Sequence, residues 1–246
     1  MILNTVKIRL RAVPDKCRNL RLVKDTSGLA LIEFAFTAPI LLTVGLTGLE
    51  TAHLATSHMQ VSQIAMLAAD NASRARETID EADIREIFTG LDLTGDSIIF
   101  SENARVILSS FEHNGMSGSR EGYWIRWQRC YGGNTKYTSS YGSENDTSEN
   151  GASAPLNYNA DLESGIGPVG NKLTTSGSNG VNFVEVVYDY KPLVSERLFG
   201  DVVIRYQSAF VARERDDHEL RNASGIPASK LWTCDKYATI DNPPGS

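Results

Sequence analysis

Gly28-Leu29-Ala30-Leu31-Ile32-Glu33-Phe34-Ala35-Phe36-Thr37-Ala38-Pro39-Ile40-Leu41-Leu42-Thr43-Val44-Gly45-Leu46-Thr47-Gly48-Leu49-Glu50 is the stretch on which the reading of this chain turns. From Leu29 to Leu49 there are 21 residues, and Glu33 is the only charged one. A helix of that length rises about 31 Å, close to the roughly 30 Å of a bilayer's hydrocarbon core. The run therefore predicts a transmembrane helix. Pro39 does not oppose this, because spanning helices tolerate proline where neighbours or Ser/Thr side chains satisfy the freed carbonyl. A carboxylate inside an apolar span is costly, so Glu33 is read as a functional position.

The flanks orient the span. Residues 1–28 hold seven basic side chains (Lys7, Arg9, Arg11, Lys16, Arg18, Arg21, Lys24) against Asp15 and Asp25, a net of +5. The whole chain is −6, which leaves −11 for residues 29–246. A basic segment abutting an apolar span stays cytoplasmic and the acidic remainder crosses. The expectation is one span, the N-terminus inside and a large external domain. A basic arm also suits nucleic acid, but immediately before a span it is read as the orienting element, with the lipid bilayer as partner and no nucleic acid. A secretory signal peptide has a shorter apolar core that ends at a small-x-small site. Thr51-Ala52-His53 and Leu54-Ala55-Thr56 offer none, so the span is expected to be retained.

A basic leader, Gly28, four apolar residues, then Glu33 and Phe34 resembles the class III signal of type IV prepilins. That resemblance implies a prepilin peptidase cutting after Gly28, with Leu29 as the new N-terminus and Glu33 at the fifth mature position. Phe34 stands where Flp pilins and their pseudopilins usually have tyrosine. Such a cut creates an α-amine of pKa near 8, cationic at neutral pH. Glu33 lies about 6 Å deeper by helical rise. Pairing it with the amine of a neighbouring subunit neutralises both groups and allows only one stagger between packed helices. The plainer reading is a carboxylate that snorkels to the cytoplasmic interface without a partner.

The resemblance narrows to TadE-like pseudopilins of tight-adherence (Flp pilus) systems. Ile32-Glu33-Phe34-Ala35 and Pro39-Ile40-Leu41-Leu42 carry it in the span. Val184-Glu185-Val186-Val187-Tyr188-Asp189-Tyr190-Lys191-Pro192-Leu193 is similar to a strand and Pro-Leu pair near that family's C-terminus, and Ala209-Phe210-Val211-Ala212-Arg213 is similar to its closing strand and arginine. The resemblance implies a bacterial inner-membrane protein with a periplasmic C-terminal domain. Its partners would be other pilins or pseudopilins and inner-membrane pilus assembly proteins.

The remaining residues are enough for one domain with a core. Leu54, Val61, Ile64, Leu67 and Ala68 form a stripe at helical spacing, and Ala65, Ala68, Ala69 and Ala72 keep that face slim. No glycine falls between Glu50 and Thr89, so the helix is expected to continue past the membrane. Thr78-Ile79-Asp80-Glu81 reads as a capping box that opens a second helix, Ile79–Phe88, ending at Gly90. Four alternating segments follow: Arg105–His113, Tyr123–Cys130, Asn182–Tyr190 and Val202–Arg213. In the second, Tyr123, Ile125 and Trp127 are placed on one face. The fold class is thus α+β: a transmembrane helix extended into a periplasmic helix, packed on an antiparallel sheet of about four strands, a pilin-like layout. The organisation is a leader (1–28), a span (29–49), a helical stalk (50–90) and a sheet domain (91–246) with a polar insertion (131–180).

That insertion is rich in Gly, Ser, Asn and Thr, and reads as a solvated loop or as an adhesive surface built on Tyr131, Tyr137, Tyr141 and Tyr158. Cys17 lies in the leader. Cys130 and Cys234 are both external and are candidates for a disulfide, the alternative being two buried thiols. His53 and His58 share no helical face and are read as marking the wet end of the span rather than a metal site. Asp216-Asp217-His218-Glu219 is read as a solvated turn, and Asn145-Asp146 through Glu149 lacks calcium-loop spacing. No phosphate loop, zinc-protease helix or nucleophile elbow occurs, so no catalytic residue, cofactor or metal is assigned. The function expected is structural: a pseudopilin-like component of Flp-type pilus biogenesis, not an enzyme. The alternative is an uncleaved signal-anchor protein with an adhesive or ligand-binding external domain.

Overall fold

The helix begun by the apolar run continues well beyond it. In the computed structural model, which describes residues 27–144, 160–176, 179–212, 215 and 217–245, helix α1 covers Ser27–Arg74. The leader with Cys17, the Asn145–Glu149 acidic run, Tyr158, Arg213 and Asp216 lie outside the described residues. Two compact units divide between Leu49 and Glu50.

In the first unit no residue from Leu29 to Leu49 is buried. The helix passes through Pro39 without a break. Thr37 Oγ1 donates to the Phe34 carbonyl (3.2 Å) and Thr43 Oγ1 to that of Pro39 (2.8 Å). Neither goes to Ala35, whose helical donor the proline removes, so the expected rescue by a threonine is not the one used.

In the second unit α1 packs on a four-stranded antiparallel sheet of order β3-β2-β4-β5, where β2 is Ala104–His113, β3 Tyr123–Tyr131, β4 Gly180–Asp189 and β5 Val203–Val211. Val61, Ile64, Ala65, Ala68, Ala69 and Ala72 meet Val106, Leu108, Val184, Val186, Tyr188 and Ile204 in one core. The alanines permit the close approach, as the slim stripe predicts. Leu67 departs from that stripe: it is exposed.

Between helix and sheet the chain differs from the expected course. Although no glycine intervenes, α1 stops at Arg74, and Glu77 takes a left-handed φ of 58°. After the short strand β1 (Ile79–Asp80), helix α2 runs Glu81–Gly95, straight through Gly90. Its N-cap is Asp80, not Thr78. The Asp80 carboxylate accepts from Ala82 N (3.0 Å), and Asp83 accepts from Asp80 N (2.9 Å). Glu81 is turned inward, where Arg129 Nε donates to it at 2.9 Å. Gly95 is required by packing: a Cβ there would lie 2.3 Å from Phe100 Cβ, at the start of the one-turn helix α3 (Phe100–Asn103).

A register shift opposite Ser110 and Phe111 skips Arg126 and reverses the alternation of β3. Trp127 consequently faces the helix, while Ile125 and Tyr123 face the opposite side, contrary to the shared face expected. A second core forms there from Phe111, Ile125, Val181 and Phe183 with Leu162 and Ile166, which come from the polar insertion. The insertion is therefore not simply solvated. Its described parts cover the second face: the Tyr141 ring meets Phe183 at 5.2 Å, and Ser139 and Ser140 donate to Glu185.

Candidate functional site

Unit one presents Gly28, Leu29, Glu33 and Phe34 at the start of α1. Leu29 and Phe34 are 68% and 67% exposed, and Glu33 is exposed too. No described residue pairs with the Glu33 carboxylate. A Cβ built on Gly28 meets nothing within 4 Å, so packing among the described residues does not require glycine there. Among the described residues nothing gives Gly28 a packing role or Glu33 a counter-charge.

Glu50 behaves in the opposite way, and sequence reasoning assigned it no role. It opens the second unit and is 1% exposed. Tyr190 donates its hydroxyl to Oε1 at 2.5 Å, and the amides of Leu193 and Val194 donate to Oε2 at 3.0 and 2.9 Å. Burial alone would raise the carboxyl pKa. The donors of Tyr190, Val194 and Leu193, helped by the nearby His53, outweigh it and hold the group below its usual range. The Tyr190 hydroxyl is driven upward by burial and then by the carboxylate it serves. A signal was present: Glu50, Leu54, Ser57, Val61, Ile64 and Ala68 recur every three or four residues, so Glu50 lies in phase with the buried stripe.

His53 and His58 are packed against tyrosines of the sheet domain. Both are half-buried, the His53 ring 5.4 Å from Tyr190 and that of His58 6.0 Å from Tyr206. His218 is buried rather than in a solvated turn. Its carbonyl accepts from Trp127 Nε1 (2.8 Å), and its ring fills the space above Gly180.

Cys130 and Cys234 form a disulfide that closes 104 residues of sequence. The tail has further anchors that sequence reasoning missed. Buried Arg105 donates to the carbonyls of Gly132, Cys234 and Lys236, and backbone bonds run from Cys130 to Trp232 and from Gly132 to Ala238. On the helix side, buried Arg129 binds Glu81 and reaches Glu144 at 2.8 Å. Arg105 and Arg129 lie on strands, where alternation marks a side chain's face but not what fills that face, so neither was legible beforehand.

For chemistry the described residues offer little. No group of three or more His, Cys, Asp or Glu is placed among them to hold a metal ion. The cleft lined by His113, Glu121, Tyr123 and Glu163 holds a histidine whose Nδ1 already accepts from Gly115 N (3.0 Å). No nucleophile in it is paired with that base. What the arrangement provides is an apolar helix run whose one acid has no partner among the described residues, and a disulfide-closed helix-and-sheet body whose first residue is a buried carboxylate. No family model, no curated protein and no solved structure matches the chain.

Proposed function

We propose that this chain is a membrane-anchored assembly subunit, a TadE-like pseudopilin of Flp-type pilus biogenesis, processed by a prepilin peptidase after Gly28. The observation that carries the reading is the surface of Leu29–Leu49: no residue of it is buried, it is mostly apolar, and its one charged group, Glu33, has no partner among the described residues. That much apolar surface is stable only in lipid or against like helices. Gly28, without a packing role among the described residues, fits recognition by an outside agent such as the peptidase. In this mechanism the helix first anchors the subunit. After cleavage it packs against neighbouring pilins or pseudopilins, with Glu33 paired to the new α-amine of one of them. Inner-membrane assembly proteins would meet the external domain. N-terminal mass spectrometry of membrane-extracted protein tests the reading. A mature chain that begins at Leu29 is expected, and an intact Met1 terminus in cells containing the peptidase overturns it.

A further inference from the structure

The link from Tyr190 to Gly200 joins β4 to β5, and its path is set by Glu50. Two of its amides, those of Leu193 and Val194, are bonded to that carboxylate, as is the Tyr190 hydroxyl. Glu50 directly follows Leu49, the last residue of the apolar run, so covalent continuity alone puts it at the level where the span leaves the hydrocarbon. A segment hydrogen-bonded to Glu50 shares that level.

The composition of the link suits such a place. Leu193 is 59% exposed, although its own amide is tied down, so the backbone is fixed while the side chain points away from the body. Lys191 and Arg197 flank it and are exposed. Lys191 lies 3.9 Å from Glu196, whereas Arg197 has no ion-pair partner among the described residues. The one-turn helix α4 (Glu196–Phe199) keeps Phe199 half-buried beside this surface. An exposed leucine between two cations, held by the residue that follows the apolar run, matches apolar insertion just below phosphate-bearing headgroups.

We infer that the Lys191–Phe199 link is a second lipid contact: Leu193 enters the bilayer interface, and Arg197 meets headgroup phosphates. The inference rests on the anchor reading of Leu29–Leu49. The external domain then has a lipid contact of its own in addition to the anchor. Glu50 is the tie that holds the link in place.

The test uses the full chain with Cys17→Ser, so that the disulfide leaves no free thiol, reconstituted in phosphatidylcholine vesicles with and without phosphatidylglycerol. Single cysteines replace Leu193, Leu42 in the span, or exposed Asn71, which is about 32 Å further along α1 than Glu50. Each is labelled with an environment-sensitive fluorophore and challenged with lipids carrying a nitroxide near the headgroup or deep in the acyl chain. Position 193 should emit at shorter wavelength than position 71 and lose fluorescence to the shallow nitroxide. Position 42 should lose it to the deep one, and position 71 to neither. If 193 responds like 71 while 42 is quenched, the link stays in water and the inference fails with the anchor intact. If 42 is also unquenched, the anchor reading itself fails. Labelling at 193 leaves the clasp in place, because the backbone amides, not the leucine side chain, bind Glu50.

Discussion

Two glutamates, Glu33 and Glu50, stand near the two ends of one apolar helix run and have opposite surroundings. Glu33 is exposed and has no partner among the described residues, whereas Glu50 is buried and holds three donors from Tyr190, Leu193 and Val194. The difference lies in what each can do for a single chain. Glu50 stabilises its own domain, and all its interactions close within residues 50–246. Glu33 makes no bond to that domain among the described residues, and the proposed assembly role would give it a partner on a second molecule. A buried acid with satisfied partners is evidence about folding, while an exposed acid in an apolar helix run is not explained by the domain's own packing.

The widest split between the two is expected from Glu33→Ala. Pilus assembly should be lost, while insertion, cleavage after Gly28 and the melting temperature of the external domain stay at wild-type values. Electron microscopy of piliation beside thermal unfolding of the purified protein checks both halves. Normal piliation in this variant would remove the proposed role of the carboxylate, and a lowered melting temperature would show an internal partner.

Glu50→Ala should do the reverse at the level of stability. It strands the Tyr190 hydroxyl, in a residue 4% exposed, and two backbone amides. With hydrogen bonds to charged groups contributing about 1.5–3 kcal/mol each and the loop able to relax, a net loss of about 3 kcal/mol is expected. Denaturant unfolding in detergent, followed by near-ultraviolet circular dichroism, measures it. An unchanged midpoint would mean that the clasp does not support the domain.

How far these roles were legible follows from the same physics. The long apolar helix, its continuation and the four strands rest on one-dimensional patterns: an apolar run, a stripe at helical spacing and period-two alternation. All of these appear in the fold, with strand ends displaced by one or two residues. The reversal at Arg126 did not show, because a bulge leaves the alternating run looking continuous. Thr78 and Asp80 both head plausible capping boxes. The choice between them depends on Arg129, 48 residues after Glu81 in sequence, drawing that glutamate inward. The packed part of the insertion depends on few apolar residues, chiefly Leu162, Ile166 and Tyr141, diluted among small polar ones. Glu50 was legible in principle from its phase, yet its partners lie 140 residues or more away, where no local pattern points back to it.

The smallest effect separates the ionised clasp from its shape. The folded-state pKa of Glu50, which lies outside the span, is lowered from an ordinary value of 4.5 because the donors outweigh burial. With the folded pKa below the unfolded one, the unfolded chain binds more protons in the acid range, so stability rises with pH there. The contribution is fully present above the unfolded value and is lost as pH falls through the folded one. Glu50→Gln keeps the size and some of the hydrogen bonds but cannot titrate. Between neutral pH and about pH 3 the wild-type protein should therefore lose more unfolding free energy than Glu50→Gln does. The excess should be smaller than the effect of Glu50→Ala. Other carboxylates with lowered values, such as Asp189 under burial opposed by Lys136, Tyr137 and Asn134, titrate in both proteins and cancel in the difference. Glu33 supplies the control: Glu33→Gln should follow the wild-type stability curve at every pH, since no interaction within the domain depends on its charge. Parallel curves for wild type and Glu50→Gln would mean that the buried carboxylate is held by shape alone, and the contrast between the two glutamates would then be one of burial rather than of charge.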